Sequence, residues 1–336
     1  MQERVDAKAA ASTDSRPGAN PAQSASGTET APAKAAPPPS QPSMVADASS
    51  VPGASPSLRD FINLASREVQ HYIEAFADLT ADETRATQLF DEHGLAATRR
   101  STQSALVVYR LRNDPRDVVE YREVISIDGH EVKGHAARAA KVWRKVAQAH
   151  SPREEIKRIT ADSERYDLGL AETGLTLFEG LPLRQRCAGD FTFREVRKET
   201  AGERPMRVFA YRQVHPCGAV AYQFVLPGRL ADSPLLHAGE LALDAETGQI
   251  VHEERNIYAG DLDEKPIRVA HIAMGYGGSP FGIMVPKTIV LETFLPREDL
   301  RGTSTSFQLY ARMVQTYGPF SRFEVSAGEK VSVPRP

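Results

Sequence analysis

The chain has 336 residues, 41% hydrophobic and 25% charged, with a formal net charge of −3. That length suffices for one large domain or two small ones with a substantial core. The near-neutral balance gives no electrostatic ground for a polyanionic partner, so nucleic acid is not expected. No window approaches the roughly 18 consecutive apolar residues of a membrane-spanning helix.

The first residues, Met1-Gln2-Glu3-Arg4-Val5-Asp6, lack the apolar stretch of a secretory signal and, taken literally, point to the cytoplasm. Residues 1–56 contain no Phe, Trp or Tyr and hold nine of the 23 prolines. Such a stretch cannot bury enough apolar surface to offset its ordering entropy, and it reads as a disordered Ala/Pro/Ser leader. Folded structure is expected from Ser57. Leu58, Phe61, Ile62, Ala65, Val69, Tyr72, Ile73 and Phe76 follow the spacing of one helix face, with Ser57 as N-cap and Asp60 at N3. After that helix, 106–109, 118–121 and 125–127 carry strand-type residues, and Asp128-Gly129 signals a hairpin turn.

A second helix is predicted over 136–150, with Ala139, Trp143, Val146 and Ala149 on one side. A third starts at Ser151-Pro152-Arg153-Glu154 and runs to about Tyr166. The local excess of Arg and Lys over 138–158 reads as a solvated helix face. From about Asp190 onward strands follow one another through turns, including 244–248, with further strands at 264–273, 284–294, 304–314 and 320–326. Strands without intervening helices imply an antiparallel sheet, and this many imply a strongly curved one. The fold class expected is therefore α+β, with a helix-rich part over 57–180 and a sheet part over 181–336, continuous as one folded unit.

Cys187 and Cys217 are equidistant from Gly202. If the run 200–204 closes a hairpin, Phe193 faces Tyr211, Phe191 faces Gln213 and Cys187 faces Cys217. Phe191, Phe193, Phe209 and Tyr211 would then share a buried face with both cysteines. A disulfide is the expectation, provided the ladder continues past Pro216; two separately buried thiols are the alternative. A bridge would imply an oxidising compartment.

No catalytic constellation emerges. His130 and His135 are five apart across Gly134, the wrong spacing for a zinc-protease helix. The glycine-rich run Gly275-Tyr276-Gly277-Gly278-Ser279-Pro280-Phe281-Gly282 leads into strand-like residues rather than a helix, so it cannot cradle phosphate and reads as an inter-strand loop. Asp261, Asp263 and Glu264 lack calcium-loop spacing. Neither a metal site nor a cofactor is expected.

The order of motifs resembles a known group. Arg122-Glu123-Val124-Ile125-Ser126-Ile127-Asp128-Gly129-His130-Glu131-Val132, then Ser163-Glu164-Arg165-Tyr166-Asp167-Leu168-Gly169, is similar to a strand, turn and helix end in uncharacterised secreted bacterial proteins common in Acidobacteria. The segments 239–251 and 317–325 are similar to a hairpin and the terminal strand of the same group. That group in turn resembles LolA/LolB-type lipoprotein carriers, whose half-barrel holds acyl chains beneath covering helices. The resemblance implies a half-barrel and a noncatalytic periplasmic or secreted module that binds a lipid or lipoprotein. Phe61, Val69, Tyr72 and Phe76 would be the helix residues over the ligand, and Gly275, Tyr276, Gly277 and Gly278 a gating loop. An interaction or envelope module with a filled concavity is the second reading; an unrecognised enzyme is the third.

Overall fold

The computed structural model describes residues 57–115, 117–168, 174–217, 235–260, 262, 266–298 and 305–322. The expected leader and the acidic residues Asp261, Asp263 and Glu264 lie outside them. The first helix, α1 (Leu58–Phe76), forms where the apolar period predicts it. Ser57 Oγ accepts the Asp60 amide at 3.2 Å, which satisfies one of the free donors of the first turn. Phe61, Ala65, Val69, Tyr72 and Phe76 make the buried face. Ala77 is extended and Asp78 has φ 65°, which ends the helix and turns the chain into the sheet.

Two antiparallel meanders follow. The first comprises β1 (Leu79–Phe90), β2 (Ala96–Arg110), β3 (Val118–Ile127) and β4 (His130–Glu131). The second comprises β5 (Phe191–Ala201), β6 (Arg204–Gln213), β7 (Leu235–Asp244), β8 (Ile250–Ala259), β9 (Ile267–Gly278), β10 (Met284–Glu298) and β11 (Thr305–Tyr317). Pairing of β1 with β11, from Glu83 opposite Tyr317 to Leu89 opposite Ala311, fuses the two into one sheet. The order is β4-β3-β2-β1-β11-β10-β9-β8-β7-β6-β5, with the short β12 (Ser321–Arg322) also on β1. The described residues belong to one compact unit.

The strong curl expected from the strand count is absent: the sheet is open and not strongly curled, which also sets it apart from the half-barrel that the resemblance implied. Helix α1 lies across this face: its Phe61 ring stacks on Phe209 of β6 at 5.6 Å, and its Phe76 ring meets Phe320, beyond β11, at 5.3 Å. The helix fills the face that a closing curl would have to bring together.

Two further helices, α2 (His135–Ala147) and α3 (Pro152–Ser163), cover the opposite face of β2 and β3. Ser151 accepts the Glu154 amide at 3.3 Å, with Pro152 at the first helical position. Val107, Tyr109 and Tyr121 pack there against Ala139, Val142, Val146 and Ile159. The Asp128-Gly129 hairpin forms as expected, with φ of 50° and 79°.

The β5–β6 register is the expected one, Phe191 opposite Gln213 and Phe193 opposite Tyr211. It arises differently, however. The connection holds only Gly202 and Glu203 between paired residues, which shifts the register by one, and a bulge between Glu195 and Arg197 shifts it back. The ladder stops at Phe191–Gln213 instead of continuing past Pro216. Cys187 lies in a short 3-10 turn (Gln185–Cys187), and its disulfide to Cys217 closes just outside the sheet, with Cα atoms 5.5 Å apart.

Candidate functional site

The inner face of the sheet carries α1 and the segment 174–187, which contains 3-10 turns at Leu175–Phe178 and Leu181–Leu183. Phe61, Val69, Tyr72 and Phe76 are all at most 3% exposed and belong to one apolar cluster with residues of β1, β2 and β6 to β11. Close approach fixes this seat. A Cβ on Gly180, at φ 56°, would lie 2.5 Å from Val69 Cγ2 and 2.7 Å from Ile250 Cδ1. A Cβ on Gly248, in the β7–β8 turn, would lie 3.1 Å from the Ala65 nitrogen. Only glycine lets both backbones meet α1.

The candidate residues thus occupy the inner face rather than line a hollow on it. Neither of two hollows found among the described residues is lined by these four side chains. One of about 340 Å³ opens beside the β5–β6 hairpin, lined by Lys198, Glu199, Thr200 and Arg207 among others. A much smaller one lies between Arg85, Arg100, Tyr166 and Asp167. The expected gating loop is not a loop. Gly275, Tyr276, Gly277 and Gly278 are the end of β9, paired with Thr288, Pro286, Val285 and Met284 of β10, and Tyr276 is buried. Only Ser279 to Gly282 form the turn.

The inner face also carries charges that the sequence reading missed. Glu83 and Arg85 of β1, Glu120 and Arg122 of β3, and Glu253 and Arg255 of β8 all point inward, buried to 5% exposure or less. Residues two apart in a strand share a face, so each Glu-x-Arg can pair with itself. The first group links across strands: Arg122 Nε donates to both Glu83 oxygens at 2.9 and 3.0 Å, and its Nη1 lies 2.7 Å from Glu120. Glu120 also accepts the Gly174 and Thr176 amides at 2.7 and 2.8 Å, which ties the covering segment to the sheet. Burial pushes the Glu120 carboxyl up, but Arg122 and these donors outweigh it and hold the group below its ordinary value.

The second group lies under α1 toward β7 and β8. Arg255 Nε donates to Glu253 Oε1 at 2.8 Å, and Glu253 accepts the Gly180 amide at 3.2 Å and the Tyr211 hydroxyl at 3.3 Å. Burial, then the neighbouring Glu253, push the Glu179 carboxyl well above the usual range. His237 behaves oppositely: burial, with Arg255 beside it, pushes its imidazole down to about 3. The unfolded chain therefore binds a proton that folded His237 refuses, and this contribution to stability is lost as pH falls through about 6.5. Glu179 works in the other direction, so the overall profile conceals both. The difference between His237→Gln and wild type isolates the histidine: between pH 7.5 and 5 it should move by about 2 kcal/mol in favour of the variant, read by urea unfolding. A difference flat with pH would mean that His237 is charged in the fold.

Among the described residues no group of three His, Cys, Asp or Glu side chains is placed to hold a metal ion, and no helix is long and apolar enough to cross a membrane. Neither a family model nor a curated protein matches the chain.

Solved structures similar to it include the following two. A DUF1329 family protein from Desulfovibrio piger superposes with a TM-score of 0.32 at 9% identity, over 81% of this chain and 95% of that one. A protein described as an outer membrane lipoprotein-sorting protein domain, from Vibrio parahaemolyticus, superposes with a TM-score of 0.31 at 8% identity, over 81% and 94%. Superposition this loose carries neither a residue nor an activity across.

Proposed function

We propose that the folded unit is a noncatalytic, extracytoplasmic binding module for a lipid or other apolar ligand, and that the ligand's site is the sheet face now occupied by α1. The observation that carries this reading is the way α1 is held. Its seat is a long apolar contact with few polar ties, chiefly Ser66 Oγ to the Leu183 carbonyl at 2.6 Å and Tyr72 OH to the Thr176 carbonyl at 2.9 Å. Four large buried side chains at roughly 2 kcal/mol each, with Ala65 adding less, hold the helix by about 9 kcal/mol. An acyl chain of about sixteen carbons, at about 0.8 kcal/mol per CH₂, offers the same order. Exchange of helix for ligand is then near balance, with Asp78 as the turning point.

Gln249 would transmit the movement. Its Nε2 reaches Glu68 of α1 at 3.3 Å and the Gly282 carbonyl at 2.9 Å, so the β9–β10 turn is latched to the helix. The Cys187–Cys217 disulfide supports the compartment, because such bonds persist where the medium is oxidising.

A second reading, an interaction or envelope module whose face stays filled, is favoured by two observations. Phe61, Val69, Tyr72 and Phe76 line neither of the hollows described above, and the inward Glu-x-Arg pairs offer an acyl chain nothing. Titration with a fluorescent fatty acid separates the two. Ser66→Ala with Tyr72→Phe removes the polar ties, each worth about 1 kcal/mol, so apparent affinity should rise about fivefold per bond. If neither protein takes up the probe and the variant merely melts earlier, the filled module is correct.

A further inference from the structure

The outward side of α2 belongs to no part of the site above. From residue 132 to 153 the chain holds Lys133, Arg138, Lys141, Arg144, Lys145 and Arg153 and not one Asp or Glu. Helix α2 buries Ala139, Val142 and Val146. Its opposite side exposes Lys141, Arg144 and Lys145 on a floor of exposed alanines, Ala136, Ala137, Ala140 and Ala147. Arg153 and Lys157 of α3 are also exposed and one turn apart, and Ile156 beside them is 38% exposed.

The acids that could neutralise this face are engaged elsewhere. Glu154 pairs with Arg158, and Glu155 accepts the Arg112 and Asn113 amides at 3.0 and 2.9 Å. Asp162 is buried between Arg138 and Arg165, each 3.3 Å away. Five exposed cations thus share one face of a chain whose net charge is −3.

We propose that this α2–α3 face docks on an anionic lipid surface. Short alanines between the cations let charged headgroups approach a flat area closely, and Ile156 can enter the headgroup layer. A single-stranded nucleic acid would want exposed aromatic stacking platforms. The one tryptophan nearby, Trp143, is instead packed on Tyr109 and Tyr121, with ring centroids 5.1 and 5.0 Å away. Each cation near such a surface strengthens binding about fivefold, so the set gives reversible, salt-sensitive docking. The proposal does not depend on a ligand beneath α1, since α2 and α3 cover the other face of the sheet.

Flotation of the full chain with vesicles tests it, using phosphatidylcholine alone and with roughly one-third phosphatidylglycerol. Binding is expected on the anionic vesicles only, lost in about 0.5 M salt. It should be about 100-fold weaker in K141Q/R144Q/K145Q, whose melting should match wild type because all three side chains are outside the core. Arg153→Gln with Lys157→Gln, on the other helix, should weaken it about 25-fold. Equal binding to neutral vesicles, or undiminished binding by both folded variants, would overturn the proposal. So would tighter binding to a single-stranded oligonucleotide, lost in the same variants, which would reassign the face to nucleic acid.

Discussion

Replacing Arg255 with alanine is expected to lower the unfolding free energy by about 3–5 kcal/mol, because it strands a buried carboxylate. Arg255 and Glu253 are both fully buried, and Arg255 donates to Glu253 through Nε at 2.8 Å and Nη2 at 2.5 Å. Without the guanidinium, Glu253 keeps, among the described residues, the Gly180 amide and the Tyr211 hydroxyl, with Glu179 close by. A loss of this size is a large fraction of the roughly 5–15 kcal/mol that holds a typical domain folded. Removing both charges, as Glu253→Leu with Arg255→Met, should restore most of it, since a buried pair contributes little beyond an apolar pair of similar volume. Urea unfolding of the four proteins gives the coupling. A cost below about 1 kcal/mol for the single variant would mean that water reaches the pair.

Breaking the disulfide comes next in size. Cys187 and Cys217 close a loop across a separation of 30 residues, for which the chain-entropy relation gives about 3.6 kcal/mol. The bond also fixes the end of the segment bearing Leu181 and Leu183, which pack beneath α1. Cys187→Ser with Cys217→Ser should therefore unfold at lower denaturant and also loosen α1. Wild-type protein should show the same shift when reduced. Identical melting with and without reductant would mean that the covering segment is held without the bond.

What was legible in the sequence was what repeats locally. Helix α1 and its Ser57 cap, the α3 start at Ser151-Pro152, and the Asp128-Gly129 hairpin each rest on a few adjacent residues whose geometry is dictated nearby. The β5–β6 pairing was readable because turn and bulge cancel, leaving Phe191, Phe209 and Tyr211 in phase on the buried side. Strand β1 was missed for a physical reason. Its inner positions run Leu79, Ala81, Glu83, Arg85 and Thr87, so the alternation turns polar halfway along although burial continues. The available signal was Glu-x-Arg, which falls within strands at Glu83, Glu120, Glu195 and Glu253, the Glu195 copy lying at the β5 bulge. Whether the inner face was open or filled was not legible, because that depends on how α1 lies across strands far apart in the chain.

Hydrogen exchange along α1, with and without a fatty acid, tests the displacement reading most directly. Amides from Phe61 to Phe76 should lose protection as ligand saturates, while those of β7 to β9 stay protected or gain. Unchanged protection in α1 at saturating ligand would contradict exchange of helix for ligand at this face.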